Sequence, residues 1–310
     1  MTTDVTDALR LWGAEAAAVH HVSGGDQDIF AFSVDGARRY LRLTPSAVRS
    51  GDAVGAEVEF VRYLYGQHLP VAAPVASRRG TYVEAIERAG GAHATVFEEA
   101  PGEVFRYDAD RDNRIHFRLR GRTLGRLHAL SREYIRSAPD ASAHLPQWNE
   151  TAWVRAASRL VPEADAVFWS EFRALSTWMS GLSTDASGFG LIHGDFGATN
   201  YRVAGDRLTV FDFGDACRHW FAHDVAISVY PYGERPERDV VLAATLEGYD
   251  AVSPVTNEWV ETLGWFCRLR VVHMYVVYAE RWGLAPDSPQ HAAWFERKRA
   301  RMRTPIDWRT

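Results

Sequence analysis

A chain of 310 residues, 46% hydrophobic and 24% charged, has the composition of an ordinary globular protein and enough length for one large or two modest domains. Its net charge of -5 gives no general attraction to nucleic acid or to an anionic membrane surface. Two cysteines, Cys217 and Cys267, stand without CxxC or Cys/His spacing, which argues against a disulfide framework or a structural zinc site and fits a reducing cytoplasm.

Met1 to Trp12 carries Asp4 and Asp7 and lacks a long apolar core, so it does not read as a signal peptide. The greasiest stretch, Leu269 to Tyr278, is interrupted by Arg270 and His273 and is too short to span a bilayer. Lys298 is the single lysine; Schiff-base chemistry and a GxxxxGK[ST] phosphate loop are thereby excluded.

The first third reads as β-rich with one helix inserted. Ala17 to Ser23 and Ile29 to Val34 are predicted strands flanking Gly24-Gly25, and Asp35-Gly36 turns the chain into a third strand, Arg39 to Leu43. Gly24 and Gly25 would let backbone N–H groups approach phosphate closely. Ser50 to Gln67 reads as an amphipathic helix whose buried face carries Val54, Val61, Leu64 and also Glu57. A carboxylate on a buried face needs a cation. Arg42 is the candidate, because alternation sets it opposite Leu41 and Leu43.

Strands are predicted again at Ala72 to Ser77, Thr81 to Ile86 and Ala94 to Phe97, after which Glu98-Glu99-Ala100-Pro101-Gly102 ends the sheet. From Arg114 the chain turns helical. One helix carries Ile115, Leu119, Leu127 and Leu130, and a second carries Phe168, Phe172, Leu175, Met179 and Leu182. Further helices are expected over Val240 to Tyr249 and Glu258 to Trp282. The basic run Arg297 to Arg303 reads as the solvated face of a last helix, with no second basic patch to support nucleic-acid binding.

The most informative stretch is Leu191-Ile192-His193-Gly194-Asp195-Phe196-Gly197-Ala198-Thr199-Asn200, followed by Val210-Phe211-Asp212-Phe213-Gly214-Asp215. Tyr201 to Val203 and Leu208 to Phe211 read as a hairpin joined at Ala204 to Arg207. Asn200 precedes its first strand and Asp212 ends its second, so antiparallel pairing brings both to one end of the ribbon. They offer hard oxygens of the kind Mg²⁺ selects, while Asp195 is free to take a proton.

A loop Asp, an Asn five residues on and a later Asp after a hairpin resemble the core of the kinase-like phosphotransferases. The wording His193-Gly194-Asp195 is similar to that of the aminoglycoside phosphotransferase and choline kinase branch. The resemblance implies an α+β, two-lobed protein-kinase-like fold: an antiparallel-sheet lobe with one helix over residues 1–97, a hinge over 98–102 and a mainly helical lobe over 103–310. It implies ATP and Mg²⁺, with Asp195 catalytic, Asn200 and Asp212 on the metal, and Gly24, Gly25, Arg42 and Glu57 at the nucleotide. Phe97, Glu98 and Glu99 then lie where the strand leads into a hinge whose backbone meets adenine. Arg42 stands where the family carries a lysine. Asp224 resembles the family's loop-bracing Asp, His128 reads as a packing or hydrogen-bonding residue, and Asp215 is the nearest acid to the position where many relatives carry a second one, here Gly214.

The expected acceptor is a small-molecule hydroxyl: an aminoglycoside or other antibiotic, an amino alcohol, or homoserine. Eleven Trp and the acidic balance suit a cationic or amphipathic acceptor. A Ser/Thr protein kinase of the same fold and a nucleotide-binding regulator without turnover are the alternatives. A metal-dependent hydrolase is disfavoured because His193 has no HxH or HxxxH companion. Oligomeric state is left open.

Overall fold

Val5, Ala8, Leu9 and Trp12 recur at the spacing of one helix face, and the first element of the computed structural model is accordingly a helix, α1 (Thr3–Leu11). The structure describes residues 3–14, 19–23, 27–87, 90–106 and 114–306, so Gly24 and Gly25 lie outside the described residues. After α1 come β1 (His20–Ser23), β2 (Asp28–Val34), β3 (Ala37–Pro45), α2 (Gly51–Gly66), β4 (Glu84–Ile86) and β5 (Ala92–Glu98). Then follow α3 (Arg114–Ser137), α4 (Pro139–Ala143), α5 (Ala152–Leu160), α6 (Ala166–Ser180), β6 (Phe189–Ile192), β7 (Tyr201–Ala204) and β8 (Arg207–Val210). The chain ends through β9 (Cys217–Trp220), α7 (Phe221–Val229), α8 (Arg238–Asp250), α9 (Asn257–Glu261), α10 (Leu263–Trp282) and α11 (Pro289–Arg303).

The chain divides into two compact units. The first gathers Met1–Val104, Arg136–Leu145 and Tyr201–Gly214. Its main sheet is antiparallel throughout, in the order β1-β2-β3-β5-β4. Val5 and Leu9 of α1 and the following Trp12 pack with Phe32, Leu41, Leu43, Ala94 and Val96. Leu41 and Leu43 thus face α1, and by alternation Arg42 is left on the opposite face. The β7–β8 hairpin pairs Tyr201 with Val210 and Ala204 with Arg207, so its turn is the two residues Gly205-Asp206, tighter than the sequence suggests.

The second unit comprises Phe105–Ile135, Pro146–Asn200 and Asp215–Thr310. Its centre is α10, which packs against α5, α6, α7 and α11 and buries Phe266, Leu269, Val272, Tyr275 and Val276. The α3 and α8 backbones almost touch. A Cβ at Gly121 would lie 1.9 Å from the Thr245 carbonyl oxygen, and one at Gly248 would lie 2.0 Å from that of Arg118. No helix among the described residues is long and apolar enough to cross a membrane.

Several sequence expectations need correction. Residues 72–77 form no strand, although Val75 N donates to Val96 O at 2.8 Å and Glu98 N to Ala73 O at 2.8 Å. Pro74 has no N–H to extend that ladder. Ile115 is 80% exposed; α3 buries Leu127 as expected but pairs it with Phe117, Leu124, His128 and Ser131, on the face that its glycines allow to close. The helix expected over Glu258 to Trp282 is divided at Thr262, whose hydroxyl donates to Trp259 O at 2.6 Å and competes with the helical ladder. The basic tail is not simply a solvated face. Arg299 Nη2 lies 2.7 Å from Asp165 Oδ2, Arg301 pairs with Glu234, and Lys298 Nζ donates to Tyr230 Oη at 2.5 Å. The short helix α5 and the N-terminal α1 were not anticipated.

Burial pushes His116, His219 and His273 down to about 3 from 6.5, so all three fold as neutral rings. The unfolded chain binds protons at these sites below about pH 6.5 and the folded chain does not, so stability is complete above that value and falls as pH drops towards 3. Urea denaturation is expected to show a midpoint that declines between about pH 7 and pH 5, before ordinary carboxylates titrate. Replacing His116 by Phe, which keeps the ring stacked on Phe105 at 3.8 Å, should flatten that slope.

Candidate active site

In the first unit Glu57, on the buried face that periodicity predicts, meets Arg42, its expected cation. Glu57 is fully buried on α2, and Arg42 Nη2 on β3 lies 2.8 Å from its Oε1. A second guanidinium joins them, with Arg49 Nη1 donating to Glu57 Oε2 at 2.5 Å and to the Gly214 carbonyl at 3.0 Å. Burial alone would raise the Glu57 carboxyl, but Arg42 and then Arg49 outweigh it and hold the group below its ordinary range. One buried carboxylate therefore anchors both a strand arginine and, through Arg49, the segment after Asp212.

Asp212 itself has φ +65°, a left-handed conformation that Asp tolerates better than most residues and that marks functional loops. The next position but one has no side chain. A Cβ on Gly214 would meet Gln27 Nε2 at 3.2 Å, Asp212 Oδ1 at 3.4 Å and Arg42 Nη1 at 3.6 Å. Amide, carboxylate and guanidinium thus surround the space beside Gly214. Arg42 Nε is buried there with no hydrogen-bond partner among the described residues. Arg42 also lies over the Phe97 ring, 5.2 Å from its centroid. Glu98 and Glu99 are exposed, and Glu99 accepts from the Tyr40 hydroxyl at 3.2 Å.

In the second unit β6 delivers the chain to the loop carrying Asp195. Leu191 N donates to Ser131 Oγ at 2.7 Å, tying the strand to α3. Asp224, fully buried at the start of α7, then accepts from His193 N at 2.8 Å and Gly194 N at 2.9 Å. Asp224 is held in turn by His128 Nε2 at 3.2 Å, and His128 Nδ1 meets the Tyr249 hydroxyl at 2.8 Å. Because a carboxylate can only accept, Nε2 carries the proton and Nδ1 receives the phenol O–H. Gly194 has φ +83°, and a Cβ there would lie 2.1 Å from the Asp215 carbonyl oxygen, so a larger residue is excluded.

Both oxygens of Asp195 are engaged. Asn200 Nδ2 donates to Asp195 Oδ2 at 2.9 Å and to its backbone oxygen at 2.8 Å. Arg270 Nη2 of α10 donates to Oδ1 at 2.5 Å. Burial would raise the Asp195 carboxyl, but Arg270 dominates the opposing charges and keeps it below the usual carboxylate value. Asn200 spends its amide hydrogens on Asp195 and presents its carbonyl oxygen elsewhere, a neutral hard donor suited to Mg²⁺.

Sequence reasoning read Arg270 and His273 only as interruptions of an apolar run. The usable signal was a charge in the middle of a helix otherwise destined for burial, which demands an anionic partner. No such signal marked Arg49. The HxxxH pair His219 and His223 was also passed over; the rings stack at 4.3 Å. Among the described residues no group of three or more His, Cys, Asp or Glu side chains is arranged to hold a metal.

The profile of the phosphotransferase enzyme family matches residues 19–261. The chain belongs to this family. It is 25% identical over 282 residues to amicoumacin kinase of Bacillus subtilis (strain 168), covering 87% of this chain and 82% of that one. A homoserine kinase of Rhizobium etli (strain CIAT 652) is 25% identical over 176 residues, 56% of this chain and 54% of the relative. Among solved structures, amicoumacin kinase hAmiN in complex with AMP-PNP, Ca²⁺ and Ami superposes with a TM-score of 0.90 at 25% identity, over 99% of this chain and 94% of that one. A microcompartment-associated aminopropanol kinase gives 0.73 at 18% identity, over 96% and 94%. The fold is therefore protein-kinase-like, an antiparallel sheet with a mainly helical remainder, and the protein is an enzyme of the phosphotransferase class.

Two outcomes follow for this enzyme. Asp224→Ala leaves three buried N–H donors, His193 N, Gly194 N and His128 Nε2, without their acceptor, at about 1–3 kcal/mol each, and should lower both the denaturation midpoint and turnover. Glu57→Ala strands two guanidiniums and is expected to cost about 3–5 kcal/mol, read by chemical denaturation at neutral pH.

Proposed function

We propose that this phosphotransferase moves the γ-phosphoryl group of ATP, with Mg²⁺, to a hydroxyl of a small molecule. The observation that carries the reading is Asp195: an ionised carboxylate fixed at both oxygens, on a loop braced by Asp224. Asp195 would orient the acceptor hydroxyl and take its proton. A carboxylate held below its ordinary pKa is a weak base, which suits a loose transition state in which the proton moves late and positioning provides most of the acceleration.

Asn200 and Asp212 are the proposed Mg²⁺ ligands. The donor chemistry fits, since one neutral and one anionic oxygen leave the remaining positions for water and phosphate. The ion would neutralise charge on the phosphates during transfer. Arg42, fixed by Glu57, would bind the phosphate tail, and the space beside Gly214 supports that assignment because its lining combines a guanidinium donor with the Asp212 carboxylate. Gly24 and Gly25 would cover the phosphates through backbone N–H groups, and the segment Phe97-Glu98-Glu99 would meet the base. The relatives named for amicoumacin, homoserine and aminopropanol kinases support a small hydroxylated acceptor.

The test is ATP consumption with Mg²⁺ over a panel of hydroxylated amines, amino acids and antibiotics, with mass detection of the phosphorylated product. Asp195→Asn should lower kcat by about 10²–10⁴-fold while retaining nucleotide binding. Wild-type turnover in that variant would remove Asp195 from the proposed role, and binding without turnover on any acceptor would make the protein a regulator.

A further inference from the structure

The charges around Asp195 do not match the acidic balance of the whole chain. Arg270 spends one nitrogen on Asp195, while its Nη1 lies 3.1 Å from His273 Nδ1, a ring that burial keeps neutral. Its charge also reaches Tyr230 and Lys298.

Lys298 is the chain's single lysine. It is half-buried on α11, with Nζ donating to Tyr230 Oη at 2.5 Å and lying 5.0 Å from the ring centroids of both Tyr230 and Trp294. The phenol is no counter-ion, since burial pushes Tyr230 up to about 12. Among the described residues Lys298 has no carboxylate partner. Burial first, then Arg270 and Arg297, lowers it to about 8. The nearby Glu234 is already paired with Arg301. Arg270 has Asp195 as its carboxylate, whereas Lys298 has only the phenol and the aromatic faces, which compensate a half-buried ammonium only in part.

Resting on the phosphotransfer reading above, we infer that Lys298 and Tyr230 form a subsite for a carboxylate of the acceptor, beside the Asp195–Arg270 pair. The ammonium supplies the charge and Trp294 and Tyr230 supply the apolar walls, so the acceptor is a hydroxylated carboxylate or amino-hydroxy acid. A polycationic aminoglycoside would meet Arg270 and Lys298 with like charge.

The experiment uses a panel of scaffolds in matched pairs. Homoserine and 3-aminopropan-1-ol share an amine and a primary hydroxyl and differ by the carboxylate; other hydroxy acids are paired with their amides. Turnover is measured together with calorimetric binding to the full chain loaded with Mg²⁺ and a non-hydrolysable ATP analogue. Carboxylate members should be favoured by about tenfold or more in kcat/KM or Kd. Lys298→Met should bring that ratio towards one and Lys298→Arg should restore it, with melting temperature as the control for folding.

Equal or better use of the amine or amide members overturns the subsite while leaving phosphotransfer standing. So does a failure of every carboxylate to bind, or a tenfold rise in nucleotide KM in Lys298→Met, which would assign the cation to phosphate. Carboxylate-selective binding that Lys298→Met abolishes, with no turnover on any acceptor, upholds the subsite and sinks the phosphotransfer reading.

Discussion

The second unit depends on one fully buried carboxylate, Asp224, receiving the N–H groups of His193 and Gly194. A loop presenting a reactive side chain must turn sharply, and a sharp turn leaves backbone donors with no ladder to join. Asp224 solves that problem with two charge-assisted bonds, and His128 and Tyr249 fix the acceptor itself. Because all members lie in low dielectric, each bond is stronger than it would be in water and each loss is costly. The position of Asp195 is consequently set from beneath, by α3, α7 and α8, before any substrate contributes.

A second constraint is how charge is buried. Glu57 with Arg42 and Arg49 balances one carboxylate against two guanidiniums in the first unit; Asp195 pairs with one guanidinium, Arg270, in the second. Buried ion groups of this kind are poor sources of stability, because desolvation consumes much of the Coulombic gain. Their value is positional: each guanidinium is fixed in direction and retains donors for a further partner. Asp195 is paired with the Arg270 guanidinium, so the local field there does not follow the net charge of -5.

Much of the architecture was legible from periodicity. The Glu57 face of α2, the alternation that separates Arg42 from Leu41 and Leu43, and the β7–β8 hairpin all follow from local spacing. The spacing of Val5, Ala8, Leu9 and Trp12 is equally regular and matches the face that α1 and the residue after it bury. Where local pattern misled, packing was the cause. Ile115 sits in phase with Leu119 and points outward, because Gly121 and Gly248 let α3 and α8 close on another face. Residues 72–77 look like a strand, but Pro74 withholds a donor.

The order of chemical groups, with Asp195, Asn200 and Asp212 around a hairpin, is a property of the chain read linearly, because spacing along a loop and ribbon fixes which residues precede and follow each turn. What that order cannot contain is a partner contributed from far away. Arg270 lies 75 residues from Asp195, Arg49 lies 165 from Gly214, and Lys298 lies 68 from Tyr230. Those pairings exist only when helices pack, since a buried charge selects its partner by proximity in space, and only tertiary structure determines that proximity.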